Sequence, residues 1–159
     1  MRKKEIILKT PNLHDLPTSR PTDGPLLSVI LATPDGYQTI RKTVSHLNSQ
    51  TECSSMELVI VAPSQEKLKL ESDQLSGFAG YQIVEIGHFH SIGRANAAGI
   101  RRAKAPLVVL AEDHCFPDPQ WAEQLIAAYQ GPWTAVGPGV RNANPNTRPS
   151  RRRRNNSTR

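Results

Sequence analysis

The densest chemistry in this 159-residue chain is the tripeptide Glu112-Asp113-His114. An apolar stretch, LVVLA from Leu107 to Ala111, runs directly into two carboxylates and an imidazole with no spacer. Two acids at the end of a buried strand repel each other unless a cation or hydrogen-bond donors compensate, and a divalent metal is an economical compensator. Carboxylate oxygen with imidazole nitrogen suits Mn²⁺, and carboxylate alone suits Mg²⁺. The plainer reading of the tripeptide alone, and the one it favours, is that these acids cap the following helix or lie in water. Gly93-Arg94 opens a helical stretch, where free N–H groups, the helix dipole and a guanidinium can act together on a phosphate. Its plain alternative is a solvated arginine. Ala95, Ala98 and Gly99 read as small residues for close helix-to-sheet packing.

Other constellations are looser. His88-x-His90, with His114 and Cys115, could form a zinc site of the kind that serves metal-dependent hydrolases, although Phe89 between them suits an ordinary loop. Cys115 beside a histidine is also the raw material of a thiol nucleophile. His46, between Val44 and Leu47, reads as a partly buried structural residue. There is no GxxxxGK[ST], and Gly87, Gly93 and Gly99 do not make GxGxxG, which argues against P-loop hydrolases and nicotinamide dehydrogenases.

The elements that must position these groups alternate. LLSVIL (Leu26 to Leu31) is a continuous apolar run, the mark of a strand buried on both faces. Tyr37, Ile40, Val44 and Leu47 follow at helical spacing, with Asp35 placed to cap. ELVIV (Glu57 to Val61) is a second strand and Gln65 to Leu75 a weaker helix. YQIVEI (Tyr81 to Ile86), a helix over Ile92 to Lys104 and LVVL (Leu107 to Leu110) come next. Asp118 as cap and Pro119 at the first position should start a helix with Ala122, Leu125, Ile126 and Tyr129 on its apolar face, and a last short strand is expected within Trp133 to Val140. Strand and helix alternating in this way predict an α/β fold, a mostly parallel sheet of four or five strands with helices on both faces. In such a sheet ligands bind at the carboxyl ends of the strands. Thr33-Pro34-Asp35, Ala62-Pro63-Ser64, Gly87-His88 and Glu112-Asp113-His114 should therefore share one rim.

Composition sets the outer limits. The net charge of +6 comes wholly from six arginines after Thr147, and the preceding 147 residues carry 14 basic and 14 acidic side chains. A neutral body with a basic tail points away from nucleic acid as the main partner, and the tail RPSRRRRNNSTR lacks aromatics that could stack on bases. Anion or nucleic-acid binding through that tail is the non-enzymatic alternative. Four prolines within residues 1–25 suggest a disordered leader, residues 26–147 one domain, and residues 148–159 a disordered basic tail. No apolar run reaches the roughly 20 residues of a membrane span, and the N-terminus shows no signal-peptide core. Cys53 and Cys115 form no CxxC pair, which fits a reducing cytoplasm.

The order of these features resembles the nucleotide-sugar-binding half of a family 2 glycosyltransferase with the GT-A fold. The stretches that carry the resemblance are SVILATPDGYQTIRKTVSHLNSQ, MELVIVAPS and SIGRANAAGIRRAKAPLVVLAEDHCFPDPQWAEQL, within Leu26 to Asn144. The resemblance implies a Rossmann-like nucleotide-diphospho-sugar transferase fold, a nucleoside diphosphate sugar as donor and Mn²⁺ or Mg²⁺ as cofactor. It implies that Thr33 and Pro34 hold the nucleoside, with Ser64 where the family often has an acid that reads the base. Arg94 and Asn96 match the segment approaching the diphosphate. Glu112-Asp113-His114 matches the family's DxD motif, with Glu112 and His114 on the outer, metal-binding positions and Asp113 between them. The acceptor-binding half, with its catalytic base, is expected after Asn144, where arginine-rich polar sequence stands instead. The resemblance therefore implies a shortened chain with no assigned catalytic residue.

Overall fold

The computed structural model describes residues 24–70, 72–133 and 135–142. The leader and the arginine tail expected from sequence lie almost entirely outside the described residues. Four strands form one sheet: β1 (Leu27–Ala32), β2 (Met56–Ala62), β3 (Gly80–Glu85) and β4 (Leu107–Ala111). The strand order is β3-β2-β1-β4, and every pairing is parallel. The helices are α1 (Tyr37–Asn48), the single turn α2 (Gln65–Leu68), α3 (Ile92–Ile100) and α4 (Trp121–Tyr129).

The two continuous apolar runs are the two central strands. Every residue of β1 and β2 is buried, whereas β3 and β4 at the edges are only partly covered. Alternate residues of β1 and β2 feed two cores. Leu27, Val29 and Leu31 pack with Ile40, Val44 and Leu47 of α1 and Ala122 of α4, while Ile30, Val59 and Val61 pack with Ala95 of α3. Helices thus cover both faces. Gly99 lets α3 lie close, because a Cβ there would sit 2.4 Å from Ile30 Cγ2 and 2.9 Å from Val61 Cγ2. The small residues of α3 are packing residues, as their types suggest.

Several boundaries differ from expectation, some through tertiary contacts and some through local backbone geometry. Asp35 does not cap α1: Gly36 occupies that position with no side-chain bond, and the Asp35 N–H donates to Thr33 Oγ1 at 3.2 Å. Nor does Asp118 cap α4, which begins at Trp121 behind Gln120. Gln50, at the end of α1, takes over that role. Its Oε1 accepts the Ala122 N–H at 3.0 Å and its Nε2 donates to the Asp118 carbonyl at 2.9 Å. The stretch from Gln65 splits into one α turn and a 3₁₀ turn (Ser72–Leu75), because Lys69 adopts φ 52° and stops the helix. α3 ends at Ile100 because the following backbone is captured. Lys104 N–H donates to Glu57 Oε2 at 2.9 Å and Ala105 N–H to Ser28 Oγ at 3.0 Å. No strand forms among the described residues of 133–140, where Pro138 lacks a ladder donor and Gly137 and Gly139 lack side chains to pack.

Candidate functional site

The first segment of the carboxyl rim is tied to the second. Thr33 is fully buried and its N–H donates to the Val61 carbonyl at 2.9 Å. Pro34 is exposed, and its carbonyl accepts from Lys67 Nζ at 2.9 Å. Ser64 caps α2, its Oγ accepting the Lys67 N–H at 3.1 Å, which leaves the hydroxyl proton available to donate. Pro34 and Ser64 both bond to Lys67, and Thr33 precedes Pro34 in the chain. No sequence signal marks Lys67, since its partner Pro34 lies 33 positions away.

The acidic turn follows β4 with no spacer, as its sequence requires. Cys115 N–H donates to the Glu112 carbonyl at 3.2 Å, closing the turn, and Thr43 Oγ1 of α1 donates to the Asp113 carbonyl at 2.6 Å. His114 lies between the two acids, with Nδ1 2.7 Å from Asp113 Oδ1 and Nε2 3.2 Å from Glu112 Oε2. Cys115 Sγ donates to Glu112 Oε2 at 3.7 Å. Ligand atoms of Glu112, His114 and Cys115 all fall within 4.8 Å of one another, and all three residues are exposed. The hydrogen bond to Asp113 raises the His114 pKa, with the charges of Glu112 and Asp113 adding and desolvation opposing. Desolvation raises the Cys115 thiol above its ordinary value, and the neighbouring carboxylates push it further. His114 therefore supplies part of the compensation that two strand-end acids need.

α1 braces the chain beyond the turn. Lys42 Nζ stands 3.9 Å from the centroid of the Phe116 ring, and His46 packs on the same ring at 5.3 Å. With Gln50 gripping Asp118 and Ala122, this face of α1 holds the chain from residue 113 to 122. His46 is the structural residue its neighbours suggest. Thr43 and Gln50 were invisible in the sequence because their partners lie about 70 positions away.

The other candidates stand apart. Ser91 caps α3 by accepting the Arg94 N–H at 3.3 Å, and the Arg94 side chain is exposed. Asn96 is half-buried, with its Oδ1 shielded and without a hydrogen-bond partner among the described residues. His88 and His90 meet each other edge to face at 4.5 Å. They do not join the group formed by Glu112, His114 and Cys115, so the four-residue zinc arrangement is not assembled. Two open concavities of about 490 and 290 Å³ lie elsewhere, along Arg41 and Lys42 and beside Glu52 and Glu123.

A parallel sheet of order 3-2-1-4, covered on both faces, with an acidic turn at the carboxyl end of β4, is the arrangement of a GT-A glycosyltransferase domain. The family model "Glycosyl transferase family 2" matches residues 28–159, and the chain belongs to that family. The match extends beyond Asn144 and takes in the arginine-rich segment. Among solved structures, TarS from S. aureus is similar with a TM-score of 0.56 at 14% identity, over 64% of this chain and 19% of that one. The mannosyltransferase PcManGT from Pyrobaculum calidifontis, in complex with GDP-Man and Mn²⁺, is similar with a TM-score of 0.55 at 17% identity, over 74% of this chain and 36% of that one. The chain thus spans a minor part of either neighbour. No curated protein matches it. Among the described residues no helix is long and apolar enough to cross a membrane.

Proposed function

We propose that residues 26–147 form a donor domain that binds a nucleoside diphosphate sugar with a divalent metal, Mn²⁺ or Mg²⁺, for transfer of the sugar to an acceptor hydroxyl. The observation that carries this reading is the acidic turn: Glu112 Oε2 and His114 Nε2 stand 3.2 Å apart and exposed at the end of β4, a donor set suited to a divalent ion. Glu112 and His114 would hold that ion, and Asp113 orients His114 through Nδ1. When bound, the ion would offset the charge that grows on the diphosphate as the sugar–phosphate bond breaks.

The remaining roles rest on the groups each residue has to offer. The Thr33-Pro34 turn, fixed by Lys67, bounds the nucleoside, and Ser64 retains a hydroxyl proton to donate to it. Arg94 offers an exposed guanidinium to the diphosphate. Asn96 has an unpartnered carboxamide oxygen that suits a ligand hydroxyl. Family membership and a structural neighbour that holds GDP-Man and Mn²⁺ support the same reading. Two free cysteines fit a cytoplasmic setting. Calorimetric titration with UDP-, GDP- and dTDP-sugars, with and without Mn²⁺, tests the proposal. Saturable binding of one of them that requires the metal is expected, and failure of all three in Mn²⁺ and in Mg²⁺ would sink it.

A further inference from the structure

The two edges of the sheet differ in chemistry. β3 carries engaged polar groups: Gln82 donates to Glu57 and to the Arg102 carbonyl, and Glu85 Oε1 accepts the Gln65 N–H at 2.6 Å. β4 is apolar at every position, LVVLA, and pairs only with β1 among the described residues. No other described segment bonds to its outer backbone groups. Leu107, Val109 and Ala111 pack partly against one core and Val108 partly against the other, while Leu110 is 51% exposed. On the face that holds Val108, α3 lies over β1 and β2. A bare apolar edge is a template for another strand, and natural sheets cover it. With both faces of β4 apolar, the covering strand must itself be apolar on both faces. It should read as a continuous run and not as an alternation.

We infer that residues 5–9 of this same chain, Glu5-Ile6-Ile7-Leu8-Lys9, are that strand and lie antiparallel along β4. Ile6-Ile7-Leu8 is a continuous apolar run between charges, rich in β-branched residues, and Pro11 ends it. Residues 144–159, by contrast, contain no Ile, Leu, Val or aromatic residue with which to cover an apolar edge. The chain enters β1 at Leu27, directly across from Leu107, the first residue of β4. The position outside β4 is two strand spacings from there, about 10 Å. Residues 10–26 can span several times that distance at about 3 Å each. A strand that ends at this same rim runs antiparallel to β4, an arrangement common at the edges of otherwise parallel sheets. The tether also gives the segment an effective concentration of roughly millimolar, which favours it over the edge of a second copy in dilute solution. β4 leads straight into Glu112, so the added strand would steady the start of the acidic turn whether or not a nucleotide binds there.

The test is NMR of the full 159-residue chain, read by amide hydrogen exchange and backbone NOEs. The alternate β4 amides that face away from β1 should be protected and should show NOEs to residues 5–9, with a pattern independent of protein concentration. Ile7→Asp should speed exchange at those amides about tenfold or more, while β1 and β2 keep their protection and so report an intact fold. Leu13→Asp, outside the apolar run, should leave β4 unchanged. The NOEs of the parent chain test the pairing without any variant. Outer β4 amides that exchange freely in the parent, NOEs from β4 to some other segment, or protection that survives Ile7→Asp would overturn the inference. Protection that grows with protein concentration, together with a sedimenting dimer, would also overturn it and assign the edge to a second copy.

Discussion

Glu57 and Glu112 sit at opposite rims of the same sheet and have opposite fates. Glu57, at the amino end of β2, is 2% exposed and fully engaged. It accepts from Ser28 Oγ at 2.7 Å, Gln82 Nε2 at 2.6 Å and the Lys104 N–H at 2.9 Å, joining β1, β2, β3 and the chain that enters β4. Glu112, just past β4, is 67% exposed, and its side-chain partners are the neighbouring His114 and Cys115. The same side chain is structural where both of its oxygens accept from buried, part-buried or backbone donors, and suited to a ligand where its partners are themselves ligand types. Burial and partner identity separate the two roles, and residue type does not.

The comparison is broken most sharply by deleting the structural carboxylate. Glu57→Ala leaves three donors without an acceptor in or beside the core, and should cost about 3 kcal/mol or more of unfolding free energy in urea. Glu112→Ala, by contrast, should stay within about 0.5 kcal/mol of the parent. A similar cost for both would erase the distinction. Gln50→Ala removes the acceptor of the Ala122 N–H and a donor to Asp118, and should cost about 2 kcal/mol by the same measurement. Gly99→Ala is a smaller perturbation. The helix propensity gained is up to about 1 kcal/mol, but the new methyl group meets Ile30 and Val61, so a net loss of about 1 kcal/mol is expected.

The architecture was legible because the central strands are buried on both faces, which forces apolar runs such as Val29–Ala32 and Leu58–Ala62. The acidic turn was legible for the same reason, since an apolar strand ending in charge has one rim on which to end. Decisions made across the fold could not be read. Asp35 and Asp118 have the residue type of helix caps, yet one precedes an uncapped start and the other lost the position to Gln50. The helix expected as far as Lys104 ends at Ile100 because Glu57 and Ser28 claim the backbone beyond it. Lys67 meets the Pro34 carbonyl from 33 positions away, which local sequence does not show. At Gln50, Ser28 and Glu57 a buried polar partner outweighed the local preference.

The smallest expected effect concerns His114. Its hydrogen bond to the Asp113 carboxylate favours the imidazolium, so in the metal-free chain it should titrate above the ordinary histidine value. The sign is that of a group raised on folding: the favourable interaction is present below the unfolded pKa and is lost as pH rises through the folded one. The side chain is exposed, so the effect appears in its NMR titration, and global stability stays unaffected. Asp113→Asn should bring the midpoint back down, and an unchanged midpoint would remove Asp113 as the partner.

Whether the exposed rim cluster binds donor is measured most directly by the affinity of the Glu112→Ala, His114→Ala double variant for the nucleotide sugar in Mn²⁺. A tenfold or greater loss in a chain that unfolds at the parent urea concentration is the predicted result. Equal affinity in parent and variant would contradict it, and would place the donor away from the acidic turn.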